Sequence, residues 1–98
     1  MTTTVFIGDE ITAAAMRLAG AATRSPDFRD VPRVFEEALL GADLVIITAE
    51  HAQAISEDAL RAAIRRADPL ILVMPDGGNR RAPEDLEARV ERVLGIEQ

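Results

Sequence analysis

The chain has 98 residues, a net charge of −6 and no cysteine, and all eleven of its basic residues are arginine. That length is one domain, and its acidic balance argues against nucleic acid and anionic membrane surfaces, both of which are bound through clustered positive charge. Without Cys or Lys there can be no disulfide, sulfur-ligated zinc, thiol nucleophile, Schiff base or Walker lysine.

Hydrophobic residues make up 48% of the chain and aromatics only 3%, so the core must be aliphatic and rich in Ala. The N-terminus lacks a basic stretch followed by an apolar one, as a signal peptide would have. No apolar run approaches the length of a membrane span. The expectation is a cytoplasmic protein with no membrane insertion.

Residues 2–8 (TTTVFIG) are rich in β-branched side chains and read as a buried strand. Residues 11–22 read as a helix with Ile11, Ala14, Ala15, Leu18 and Ala22 on its inner face. Residues 23–32 are polar and hold two prolines; a very short strand around Phe28–Val31, or only a loop, is expected there. Residues 33–41 form a short helix, with Pro32 suited to its first turn and Gly41 to its end. Residues 42–48 (ADLVIIT) are apolar on both faces, as in a parallel strand covered on both sides by helices.

Residues 50–67 are helical, with Ser56 able to cap a second segment and Leu60, Ala63, Ile64 and Ala67 as the inner stripe. Residues 69–75 (PLILVMP) make another apolar strand. Residues 76–81 (DGGNRR) form a turn or flexible link, and residues 82–98 a final helix with Leu86, Val90, Val93 and Leu94 in its apolar stripe. Strands joined by helices imply parallel pairing with right-handed crossovers. The expected fold is α/β: a small Rossmann-like open sheet of four parallel strands with alternating helices and a C-terminal helix. Residues 1–76 would form the body, and 77–98 a flexible link and terminal helix.

In such a sheet, ligands bind beyond the carboxyl ends of the strands. Gly8, Asp9 and Glu10 fall there, with Thr48 and Glu50 after the third strand and Asp76 after the fourth. Asp9, Glu10 and Asp76 could gather around a divalent cation in a small receiver-like switch. Alternatively Gly8, Asp9 and Glu10 form a structural turn, the acids starting the helix and favouring its dipole. A phosphorelay receiver fails on two counts: the third strand ends in Thr48, not Asp, and there is no Lys. A dinucleotide fingerprint fails too, because GDEITA carries one glycine and two acids that would repel a phosphate. His51, the only histidine, has no nucleophile placed beside it by the sequence, and an exposed or capping role is expected.

The final segment carries Arg80, Arg81, Arg89 and Arg92. Their spacing fits either a solvated face with an Asp85–Arg89 pair or a docking helix.

Four stretches in this order, IGDE.T....RLAG (7–20), LVIITAEHA..I (44–55), PLILVMPD (69–76) and RVLGIE (92–97), resemble the family of the F subunit of the V/A-type ATPases. Ala15-Met16 stand where family members commonly carry Gly-Phe. The resemblance implies a non-catalytic rotor component of the central stalk with a Rossmann-like body and a mobile C-terminal helix. It implies binding to the coiled-coil D subunit, alongside the other stalk and catalytic subunits. It further implies coupling of ATP synthesis or hydrolysis to proton or sodium transport, at the membrane periphery on the cytoplasmic side, with no cofactor of its own. Arg80, Arg81, Leu86, Arg89, Val90, Arg92 and Val93 would then be the partner-binding residues.

Overall fold

Apolar β-branched segments become strands here and the Ala-rich segments become helices. The computed structural model describes residues 3–75. In chain order these are β1 (Thr4–Ile7), α1 (Glu10–Leu18), β2 (Ala22–Arg24), a single 3-10 turn (Phe28–Asp30), α2 (Val31–Gly41), β3 (Leu44–Thr48), α3 (Ala49–Ala52), α4 (Glu57–Arg66) and β4 (Leu70–Met74). The strands form one parallel sheet in the order β2-β1-β3-β4. Val5 lies between Ala22 and Val45, and Val45 is in register with Ile71. The expected α/β architecture is thus the observed one.

Because side chains alternate across a strand, the sheet buries two different faces. Val5, Ile7, Val45, Ile47, Ile71 and Val73 face a cluster with Val31, Val34, Phe35 and Ala38 of α2, Ala52 and Ile55 around α3, and Leu60 and Ala63 of α4. Phe6, Leu44, Ile46, Leu72 and Met74 point the other way, and α1 meets them with Ala13 and Met16. The first face is the larger core: Ile7, Val31, Val45 and Ile47 are fully enclosed. Each such side chain contributes about 1.5–3 kcal/mol by leaving water.

Three expectations are corrected. The inner stripe of α1 is reversed: Ala13 is its buried residue, while Ile11 and Leu18 are 87% and 92% exposed and Ala14 and Ala15 are exposed too. Periodicity alone finds an apolar stripe, but the sheet took the small side chain. The helix also stops at Leu18, because Gly20 takes a positive φ of 99° and turns the chain into β2. Ala22 therefore belongs to a strand.

That strand is the second correction. β2 lies at Ala22–Arg24, where the Arg24 carbonyl accepts from the Gly8 N–H at 3.1 Å, and Phe28–Asp30 is a 3-10 turn leading into α2. Pro32 sits in the first turn of α2, as its fixed φ favours.

Third, the inner stripe expected over residues 50–67 is only partly inward, although the second segment that Ser56 was expected to cap is there as α4. Thr48 caps α3 and Ser56 caps α4 through Oγ, which accepts from the Ala59 N–H at 3.1 Å. Of the stripe expected there, Ala63 is buried and Leu60 partly so, but Ile64 is 47% exposed and Ala67 ends the helix in the left-handed region at φ 60°. β4 follows a cis Asp68–Pro69 peptide.

Candidate functional site

The carboxyl ends of β1 and β3 carry Gly8, Asp9 and Glu10 on one side and Thr48 and His51 on the other, with the Phe28 ring against His51. Gly8 is buried between the two strand ends. A Cβ at this position would lie 2.5 Å from Phe6 Cζ and 2.6 Å from Thr48 Cγ2. The glycine is required by closeness: there is no space for a side chain.

Asp9 is the N-cap of α1. Its Oδ2 accepts from the Thr12 N–H at 2.9 Å and from the Thr12 hydroxyl at 3.0 Å. The backbone N–H of Thr12 is the main reason its carboxyl is held below the ordinary 3.8; partial burial opposes this, and the Thr12 hydroxyl and the nearby His51 add to it. Glu10 reaches Arg17 at 2.7 Å, and Arg17 also donates to Thr23 Oγ1 at 2.7 Å, tying α1 to β2. The Arg17 hydrogen bond is the first cause, and one from Ser25 the second, that lowers the Glu10 carboxyl.

Thr48 is 2% exposed and His51 7% exposed. The Thr48 hydroxyl oxygen accepts from the His51 N–H at 3.2 Å and lies 2.9 Å from His51 Nδ1. The imidazole rests on Phe28, ring centroids 4.9 Å apart. Of the two roles expected for His51, the exposed one is thus corrected, while its place in a helix cap is the one observed. The signal available in the sequence was the spacing Thr48-x-x-His51, which places a side chain back on its own helix cap. The Thr48 hydroxyl is already occupied by that cap, so the pair works as a structural clasp.

Each polar group at this end of the sheet therefore has a neighbour in the fold. Among the described residues no buried side-chain nitrogen or oxygen lacks a partner, and no group of three His, Cys, Asp or Glu could hold a metal ion. Among the concavities lined by described residues is a shallow open hollow of about 360 Å³, bounded by Phe28, Glu50, Gln53 and Ala54. Asp76 lies outside the described residues, as do Arg80, Arg81, Leu86, Arg89, Val90, Arg92 and Val93. No described helix is long and apolar enough to cross a membrane.

What the surface does offer is apolar. Ile11, Leu18 and Leu40 are each more than 85% exposed, and Phe28, Ile64 and Leu70 about half exposed. Residues 4–92 match the family model of the ATP synthase (F/14-kDa) subunit. No curated protein matches the chain.

Proposed function

This chain belongs to the family of the ATP synthase (F/14-kDa) subunit, and we propose that it is the non-catalytic central-stalk rotor component of a V/A-type ATPase. In this reading it binds the coiled-coil stalk subunit and turns with it inside the catalytic ring. It thereby couples ATP synthesis or hydrolysis to proton or sodium transport, while sitting on the cytoplasmic side, peripheral to the membrane. The observation that carries the reading is the family match, which spans the body and most of the terminal segment.

The chemistry of the body supports it. A shaft component needs stiffness and outward surfaces rather than a reactive pocket. A parallel sheet packed on both faces is stiff because interiors are as dense as organic crystals. Residues 77–98 supply a docking arm, in which Leu86, Val90 and Val93 make apolar contact and Arg80, Arg81, Arg89 and Arg92 meet acidic groups on the partner. Exposed ion pairs of that kind contribute about 0–1 kcal/mol each, so the apolar residues carry most of the affinity. Co-expression with the coiled-coil stalk subunit tests the reading. A stable complex on size exclusion is expected, and separate elution of the two chains would remove its support.

A further inference from the structure

Strand β2 is three residues long, pairs with β1 alone and has no buried side chain: Ala22 and Arg24 are exposed and Thr23 is half-buried. We propose that β2 is a detachable edge: an outer strand fastened to the body by two arginine ties, one on each face of the sheet, and able to come away while β1, β3 and β4 stay folded.

The ties follow from the alternation of side chains along a strand. Thr23 is in register with Phe6, which faces α1, and Arg24 with Ile7, which faces α2. On the α1 face, Arg17 donates to Thr23 Oγ1 at 2.7 Å, while Glu10 takes the other arm of the same guanidinium at 2.7 Å. On the α2 face, Arg24 donates to Glu37 at 3.2 Å, and Arg33 holds the second oxygen of that carboxylate at 3.0 Å. One arginine thus reaches from α1 to β2, and the other from β2 to α2.

Packing contributes little to this attachment. Between β2 and α2 lies a hollow of about 250 Å³, lined by Val5, Ala22, Ala38 and Gly41 and bordered by the Arg24–Glu37 pair. Exposed pairs of this kind hold weakly. Strand β1, by contrast, keeps Phe6 and Ile7 fully buried and pairs with β3 over Thr4–Ile7. The loss of β2 therefore removes no enclosed side chain from the core. Segments with few buried apolar contacts open locally, at a lower free energy than the whole fold. The Gly8 N–H is the direct witness: it donates to the Arg24 carbonyl at 3.1 Å and loses that acceptor when β2 leaves. Detachment bares the outer edge of β1 as an unpaired strand edge.

Hydrogen exchange by NMR on the full-length chain tests this, with the Gly8 amide reporting β2 and that of the fully buried Ile47 in β3 reporting the body. In wild type, Gly8 should be protected less than Ile47 by roughly tenfold or more. Raising salt from about 0.05 M to about 0.5 M, which screens exposed charges, should lower protection at Gly8 and leave Ile47 unchanged. The double variant Thr23→Val/Arg24→Gln removes both ties. Valine is a good strand former, so intrinsic preference gives no reason for β2 to loosen; loss of the ties should lower Gly8 protection by roughly fivefold. Arg33→Gln removes the other ion pair of Glu37 but no tie to β2, and should leave Gly8 unchanged. Equal protection of Gly8 and Ile47 in wild type, a Gly8 rate that salt or the double variant does not move, or an equal response to Arg33→Gln would each overturn the proposal. Should the double variant fail to fold, the wild-type protection ratio and its salt response decide alone.

Discussion

Gly8 and Asp9 show how two adjacent residues can look like a ligand site and be fully employed by the fold. Gly8→Ala places a methyl against Phe6 and Thr48, with contacts of 2.5 and 2.6 Å to relieve. Overpacking of this kind costs about 1–3 kcal/mol, and a thermal melt should fall by roughly 4–8 °C for each kcal/mol in a domain this small. Asp9→Ala removes the α1 cap and should cost about 1 kcal/mol. Asp9→Asn keeps the cap but not the titration. The folded Asp9 carboxyl titrates below its ordinary 3.8. Its contribution is therefore present above the unfolded value and disappears as pH falls through the folded one. Denaturant melts from pH 6 down to pH 2 should show a shallower acid loss for Asp9→Asn than for wild type. Glu10 and Glu37, lowered mainly by Arg17 and Arg33 respectively, continue to titrate in both proteins. An equal slope would mean that Asp9 is not held by Thr12. Addition of millimolar magnesium should leave the Asp9 amide resonance in place, and a saturable shift there would revive the cation-switch reading. The acids after β1 were legible as cap or ligand from sequence; that Asp9 caps α1 is shown by its distance to Thr12, which no spacing encodes.

Helix α1 illustrates what periodicity can and cannot tell. Its stripe of Ile11, Ala14, Ala15 and Leu18 was visible in the sequence, but its direction was not. Ala13 and Met16 form a second, smaller apolar face, and a helix lying close to a sheet takes the small side chain inward. β3 and β4 were legible because nearly continuous apolar runs admit only a strand buried on both sides. β2 was not, because three residues with one partner strand carry little pattern of their own; it is fixed by Gly20 and by the pairing of Val5 with Ala22. The break between α3 and α4 was half legible in Ser56. At the end of α4, Ala67 adopts φ 60°, which an L-residue adopts at a cost of about 1–2 kcal/mol. Ala67→Gly should therefore raise stability by roughly 0.5–1 kcal/mol, read from urea unfolding, after allowing for the greater freedom of glycine in the unfolded chain. A decrease would show that the left-handed cap carries no strain.

Taken as one body, the chain is a sheet with one thickly covered face and one face carrying α1 alone among the described helices. Its described ion pairs, such as Arg24–Glu37 and Arg33–Glu37, are surface pairs with side chains roughly half exposed. Raising salt to 0.5 M should shift the melting temperature by no more than a few degrees, because screening removes little from pairs worth about 0–1 kcal/mol. On the docking role proposed for residues 77–98, Val90→Glu is expected to weaken the complex with the coiled-coil subunit with the melting temperature unchanged, whereas a lowered melting temperature with unchanged affinity would instead place Val90 against the sheet. Rotation is the property that separates a shaft component from a bystander that merely binds. The chain has no cysteine, so Glu36→Cys on the exposed side of α2 offers one attachment point for a probe. With the catalytic ring fixed to a surface and ATP supplied, the probe on this chain should turn in one direction in discrete steps. A probe that stays fixed while the complex hydrolyses ATP would contradict the account.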